Sequence, residues 1–370
     1  MKRLLCLLLV LVLLLAGCGK KTAEAPTEPS TEAPTTEATE PTTEATEPPT
    51  EETEPETEPT EPPVPRHPLT GEELEEPFTG RPVAFSLNNI SVCLPQYGLQ
   101  HLDWMFEVET EGGITRCVGL MTNPEKAGSV GPIRSNRTYF LNISVSYDAP
   151  LFHCGGSKYA DANKYSRTSA IESWNHVNEK TYSNYYYRDS NRYNNLGYAW
   201  EHTLFTSGER MANAMEKLGY NTEEVLDYGY QFSDTVELEG QSAKDVTIGF
   251  QGTKKTVMEY NEETGLYEAH QYGKDWVDGD TGENVSFRNL LLLMTRHIKP
   301  KGKHSFYDLD GYGKGYYVTN GQMIPIQWQH DGVEGPFTFT LEDGETPITL
   351  AVGTTYCAII GNEGGYVNAE

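Results

Sequence analysis

The sequence predicts an α+β protein, with an N-terminal mixed α/β layer domain followed by a mostly antiparallel β-rich domain. Three observations carry that prediction. Between residues 81 and 157 strand, loop, helix, strand and Gly-rich loop follow in order, as in mixed layer folds. Beyond Glu237 alternating runs dominate, and Asn320-Gly321 and Asp343-Gly344 separate pairs of them, as hairpins favour. Before residue 66 nothing can build a core, which leaves roughly 300 residues, room for two domains at about 150 each.

The first residues set the compartment. Lys2 and Arg3 precede an apolar run, Leu4 to Ala16, that is short for a bilayer span and ends in small residues. Leu15-Ala16-Gly17-Cys18 has the pattern of a bacterial lipoprotein signal, so residues 1–17 are expected to be removed and Cys18 to be lipidated. Several acyl chains on one cysteine anchor far more firmly than one. The mature chain is therefore expected on the outer face of the cytoplasmic membrane, in a Gram-positive type of envelope, with no transmembrane helix.

Residues 18–65 are Thr, Glu, Pro and Ala in loose repeats such as "TEATEP", without apolar periodicity. Such a segment buries too little surface to offset chain entropy and is expected to be a disordered stalk. Thr22 to Pro65 holds thirteen glutamates and no basic residue, half of the net charge of −26. The acidity thus belongs largely to the stalk and does not describe the folded part. At about 3.1 Å per residue the stalk would reach on the order of 140 Å when extended.

In the N-terminal domain, residues 66–225, "RPVAFSLNN" reads as a buried strand and "LPQYGLQHLD" as a short helix starting near Pro95. "WMFEVET" and "TRCVGLMT" are strands joined across Glu111-Gly112-Gly113. After the Gly131-Pro132 break, Tyr139, Phe140, Ile143 and Tyr147 fall at helical spacing from Ser135 onwards. "APLFHC" is a short strand that empties into Gly155-Gly156-Ser157, and a polar helical segment is expected next. The stretch from Tyr182 to Trp200 is polar and aromatic without period, which reads as a surface excursion. Thr206-Ser207-Gly208-Glu209 reads as a capping box with Thr206 as the cap. Met211, Met215 and Leu218 give that helix its apolar face, and Gly219 stops it.

In the C-terminal domain, residues 237–362, "DVTIGF", "KTVMEYN", "GLYEAH" and "NVSFRNLLLLMT" are the expected strands. Beyond Cys18 the chain has Cys93, Cys117, Cys154 and Cys357, which permit three pairings. Cys117 and Cys154 lie in apolar runs that suit buried thiols, so no disulfide is expected. No cysteine spacing suits zinc. "DLDGYGKG" and "DGDTGEN" do not fit the EF-hand loop, and hairpin turns account for both. No metal or cofactor is expected, and nucleic acid is not an expected partner.

Taken in order, "PLTG", "RPVAFSLNN", "PQYGLQHLDWMFEVETEGGITR", "VGPIRSNRTYF" and "YDAPLFHCGGS" resemble the YerB-like lipoproteins. This is a family of bacterial extracytoplasmic proteins of unknown function. "GYGKGYYVTNGQMIPIQW" and "GTTYCAII" continue the resemblance through the second domain. It covers nearly all of Pro68 to Ile360 and implies a mixed α/β domain followed by a β-rich one, without an activity. Where the family shows a Pro-His-Asn-Leu-Tyr-Thr-like run, this chain has Glu201 to Thr206 and keeps His202.

Polar or Gly-rich fragments stand where strands meet loops, a common place for ligand crevices. The residues expected to bind a ligand are Glu111, Gly112, Gly113, Thr115, Arg116, Arg134, Ser135, Arg137, His153, Gly155, Gly156, Ser157 and His202. Guanidinium groups suit two-pronged binding of carboxylate or phosphate, and a helix start near Ser135 would add free N–H groups. Tyr182 to Tyr198 could offer stacking surfaces. The competing reading is that the arginines brace loops against Glu109, Glu111 or Asp148. The expected function is a non-catalytic envelope module recognising an anionic wall component or peptide. One alternative is a wall hydrolase or transferase with Glu111 and His153 as acid and base. The other is a scaffold lipoprotein that contacts envelope proteins.

Overall fold

The computed structural model describes residues 64–157, 176–298, 306–331 and 335–370. The signal segment, Cys18, most of the stalk and the helical segment expected after Ser157 lie outside the described residues.

Strands β1 (Val83–Asn89), β2 (Trp104–Glu109) and β3 (Thr115–Met121) form the heart of an eleven-stranded sheet. β3 runs antiparallel between β1 and β2. Beyond β1 the sheet continues in parallel through Leu151–His153 to His176–Asn178. On its other side β2 pairs in parallel with Thr355–Gly361, which pairs in parallel with Asn289–Thr295. The hairpin Gly311–Thr319/Gln322–His330 follows antiparallel. Strands from both ends of the chain thus share one sheet.

These strands are near-continuous apolar runs because both faces of the sheet are covered. Successive side chains enter opposite cores: Met105, Leu290 and Tyr356 point into one, Phe106, Leu291 and Cys357 into the other. Helix α1 (Thr138–Ser146) brings Tyr139, Phe140 and Ile143 to the second core. The first core is covered by a smaller antiparallel sheet built around Asp245–Gly249, Lys255–Asn261 and Leu266–Gln271.

Several local expectations are corrected. No helix starts at Pro95; a single 3-10 turn, Leu99–His101, follows Gly98 in the left-handed region. α1 begins at Thr138 rather than Ser135. The Tyr182–Trp200 stretch is no plain surface loop. It contains helix α2 (Ser190–Asn194), and Tyr185, Tyr186 and Arg192 are buried. Helix α3 (Gly208–Lys217) is capped by Ser207, whose Oγ accepts from Arg210 N at 3.3 Å, whereas Thr206 Oγ donates to Tyr185 O at 2.8 Å. Gly219, at φ +69°, does follow that helix.

Asn320-Gly321 makes the expected tight hairpin, with both residues at positive φ and Thr319 opposite Gln322. Asp343-Gly344 turns the chain only as far as the Thr340–Pro347 bridge. Thr349–Ala351 then leaves to pair with Gln231–Ser233. "DLDGYGKG" is no hairpin turn, since Gly311 already opens a strand. Cys93, Cys117, Cys154 and Cys357 are free thiols. Among the described residues no helix is long and apolar enough to cross a membrane.

Candidate functional site

Register places the arginines. On β3, Arg116 stands between Asn88 of β1 and Val108 of β2. The segment after the Gly131–Pro132 cis bond runs antiparallel along the end of β1 and lies between it and the chain leaving Leu151–His153: Arg134 N donates to Ser86 O at 2.8 Å, and Cys154 N to Arg134 O at 3.1 Å. Asn136 then bridges to Gly156, which fastens the glycine loop beside the arginines.

Arg137 is the last residue before α1 and turns back to the β2–β3 hairpin. Its Nε lies 3.0 and 3.1 Å from the two Glu111 oxygens and its Nη2 2.7 Å from Oε2. Its Nη1 also donates to Asn136 O at 2.7 Å. Arg116 is buried and donates to Ser135 O at 2.8 Å, while its Nε has no partner. Burial first, then the charges of Arg137 and Arg134, pull the Arg116 guanidinium down to about 9.

Arg134 reaches Glu201 Oε2 at 3.1 Å through Nη2, and its Nε is buried without a partner. The Glu201 side chain is 57% exposed, against 21% for Glu111. Beside it, His202 is buried and its Nδ1 accepts from Asn88 Nδ2 at 2.9 Å. Its other nitrogen lies 3.7 Å from Glu201 Oε1. Burial lowers the His202 pKa, opposed by Glu201.

His153 is fully buried. Its Nδ1 lies 2.7 Å from Gly155 O, which can only accept, so that nitrogen carries the proton. Nε2 then accepts from His176 Nδ1 at 2.9 Å. Burial, with His176 and Lys180 adding to it, brings His153 down to about 4. Both ring nitrogens of His153 are engaged, and both Glu111 oxygens lie on Arg137, so each of the two residues is held by other partners.

The expected residues therefore divide. Glu111, Arg116, Ser135 and Arg137 are linked by direct contacts, with Arg134 close enough to act on Arg116. His153, Gly155, Gly156 and Ser157 are tied to this group through Asn136, whose carbonyl accepts from Ser157 N at 3.2 Å. Thr115 faces elsewhere and donates to Glu107 at 2.5 Å. Gly112 and Gly113, at φ +85° and +71°, make the hairpin turn. Of the tyrosines meant for stacking, Tyr186 is buried and Tyr198 lies under the Arg192 guanidinium, 4.0 Å from its ring centre. The exposed rings are Tyr193 and Trp200, edge to face at 5.3 Å. Glu201 was not singled out from the sequence, although it adjoins His202. Among the described residues no cluster of His, Cys, Asp and Glu could hold a metal ion. Asp278 and Asp280 of "DGDTGEN" accept backbone N–H groups of Leu99 and Ser129.

The fold and the site define a strand-dominated protein of two sequence segments around a shared sheet. A family model described as "Protein of unknown function (DUF3048) N-terminal domain" matches residues 69–221, and the model of its C-terminal domain matches 246–357. YerB of Bacillus subtilis (strain 168), named as a lipoprotein, is 28% identical over 267 residues, 71% of this chain and 77% of YerB. A crystal structure of the Bacillus subtilis YerB protein has the same fold. It matches with a TM-score of 0.69 and 24% identity, over 82% of this chain and 99% of that one. The chain belongs to the YerB-like family, whose function is unknown.

Proposed function

We propose that the protein is a lipid-anchored, non-catalytic binding module of the cell envelope, and that Arg134 receives a carboxylate or phosphate of a wall component or peptide. One asymmetry supports this. Arg137 is gripped at three contacts by a largely buried carboxylate, whereas Arg134 meets an exposed one at a single side-chain contact. An exposed ion pair is worth about 0–1 kcal/mol, so a ligand anion can replace Glu201. Arg116, buried behind them, strengthens the field that the incoming anion feels. Trp200, on the same turn as Glu201, offers an exposed ring beside the site. Glu111, Arg137, His153 and the glycine loop form the frame that holds Arg134 in place.

Sedimentation of the full chain with purified cell wall tests the reading. Arg134→Ala is expected to weaken binding about tenfold or more. Glu201→Gln, which removes the internal competitor, is expected to strengthen it. Arg137→Lys should lower stability by about 1.5–3 kcal/mol and largely spare binding. If Arg134→Ala and Glu201→Gln reduce stability but leave binding unchanged, the arginines are braces and the proposal fails.

A further inference from the structure

The smaller sheet holds a buried amine against a buried amide, with a buried carboxylate beside them. In the hairpin Lys255–Asn261/Leu266–Gln271, Thr256 lies opposite Gln271. Lys254 stands two residues before Thr256 and reaches the same face, its Nζ donating to Thr256 Oγ at 2.9 Å. That face meets β2 of the main sheet at Glu107. Lys254, Gln271 and Glu107 are 3, 2 and 0% exposed.

Lys254 Nζ lies 2.8 Å from Gln271 Oε1 and 3.2 Å from Glu107 Oε1. Thr256 Oγ, which accepts from Nζ, donates to Glu107 Oε2 at 2.8 Å. A proton thus has both a direct and a relayed path from the amine to the carboxylate. The Tyr272 and Trp276 rings flank the ammonium, with centres 4.9 and 5.5 Å away.

An ion pair alone does not call for Gln271. Lysine can only donate, so the amide turns its oxygen to Nζ. The amide NH2 is left without a partner among the described residues. An amine that a nearby carboxylate can deprotonate therefore faces an amide whose NH2 leaves without breaking a hydrogen bond. Such confinement raises the effective concentration of the two reactants, and the absence of water removes the competing hydrolysis.

We propose that Lys254 and Gln271 join in a self-formed isopeptide bond, with Glu107 as proton carrier. The geometry is that of the reactants. Glu107 takes a proton from the Lys254 ammonium, and a turn of the Gln271 amide brings its face to the freed Nζ. The Nζ lone pair bonds to Cδ, and the carbonyl pair moves to Oε1. Glu107 passes its proton to Nε2. The oxyanion collapses, the Cδ–Nε2 bond breaks and ammonia leaves with that electron pair. Glu107 then takes the surplus proton from Nζ and gives it to the ammonia. One amide is exchanged for another and one ammonium ion is released, with no oxidant or water consumed. The site is separate from Arg134 and does not depend on it.

Tandem mass spectrometry on trypsin digests of the detergent-solubilised full chain, incubated at neutral pH, tests this. Asp245–Lys255 and Thr256–Lys274 are expected as one branched species, lighter than the two peptides together by one ammonia. Its fragment ions should place the link at Lys254 and Gln271. Glu107→Leu removes the proton carrier and is expected to abolish the link. Thr256→Val keeps both charges in the core and removes only the relay, so it decides the matter even if Glu107→Leu does not fold. It is expected to slow link formation about tenfold or more while circular dichroism stays that of the parent. Separate peptides of full mass from the incubated parent, a link retained in folded Glu107→Leu, or formation at the parent's rate in Thr256→Val would each overturn the proposal.

Discussion

Glu107 Oε1 lies 3.2 Å from Lys254 Nζ, and both side chains are shut off from solvent. The pair joins β2 of the first segment to the smaller sheet of the second. Glu107 also accepts from Asn89 Nδ2, Thr256 Oγ and Tyr356 Oη at 2.9, 2.8 and 2.6 Å. Lys254 donates to Gln271 and Thr256, and its ammonium lies 4.9 Å from the centre of the Tyr272 ring. A buried pair this well supplied with partners fixes how the two segments meet, although desolvation offsets much of its attraction.

Removing one partner strands the other charge in the core. Glu107→Ala is therefore expected to cost about 3–5 kcal/mol in urea unfolding, and Lys254→Met a similar amount. Combining Glu107→Leu with Lys254→Met should recover much of that loss, because two apolar side chains leave no naked charge. Costs that simply add in the double variant would show that the two residues act independently.

The start of α3 makes a second, local prediction. A Cβ on Gly208 would stand 1.8 Å from Pro124 O and 2.4 Å from Ala127 O, both backbone atoms that cannot swing aside. Gly208→Ala is expected to lose about 1–3 kcal/mol or more, although alanine is the better helix former. Ser207→Ala, which removes only the cap, should cost about 1 kcal/mol. Thermal unfolding of the two variants checks the order. A Gly208→Ala protein as stable as the parent would show that the Pro124–Ala127 turn yields to the added carbon.

These cases also show what the sequence made legible. Strand existence was plain wherever runs such as Leu290 to Leu293 are apolar throughout. Partner choice was not: alternation assigns side chains to faces, but it says nothing about Thr355–Gly361 lying parallel to β2 from the other end of the chain. The convergence of Glu111, Arg116 and Arg137 could be read because each stands at the end of a recognisable strand or helix. Glu201 escaped notice because it sits in a single 3-10 turn with no period to mark it. Glu107 was visible as a carboxylate inside a buried run, yet nothing distinguishes Lys254 from its neighbour Lys255 before folding. Tyr185, Tyr186 and Arg192 pack through irregular backbone, so their aperiodic stretch resembled a surface loop.

His153 gives a prediction about pH. In the folded protein it titrates near 4, against an ordinary value of 6.5, because burial disfavours the charged ring. Between those values the unfolded chain binds the proton and the folded one does not, so folding stability falls as pH drops. The full contribution is present above pH 6.5. About 2 kcal/mol of it should be lost by pH 5 and about 3 kcal/mol by pH 4. Protonation would also set two donors face to face, since Nε2 now accepts from His176 Nδ1. Burial lowers His67, His202 and His330 as well, so they act in the same direction. Comparison with His153→Gln isolates the one residue. Its unfolding free energy should drop less than the parent's between pH 7.5 and pH 5, even if it starts lower. Identical drops would mean that His153 is already protonated in the folded protein at pH 5, with the Gly155 carbonyl and the His176 ring rearranged around it.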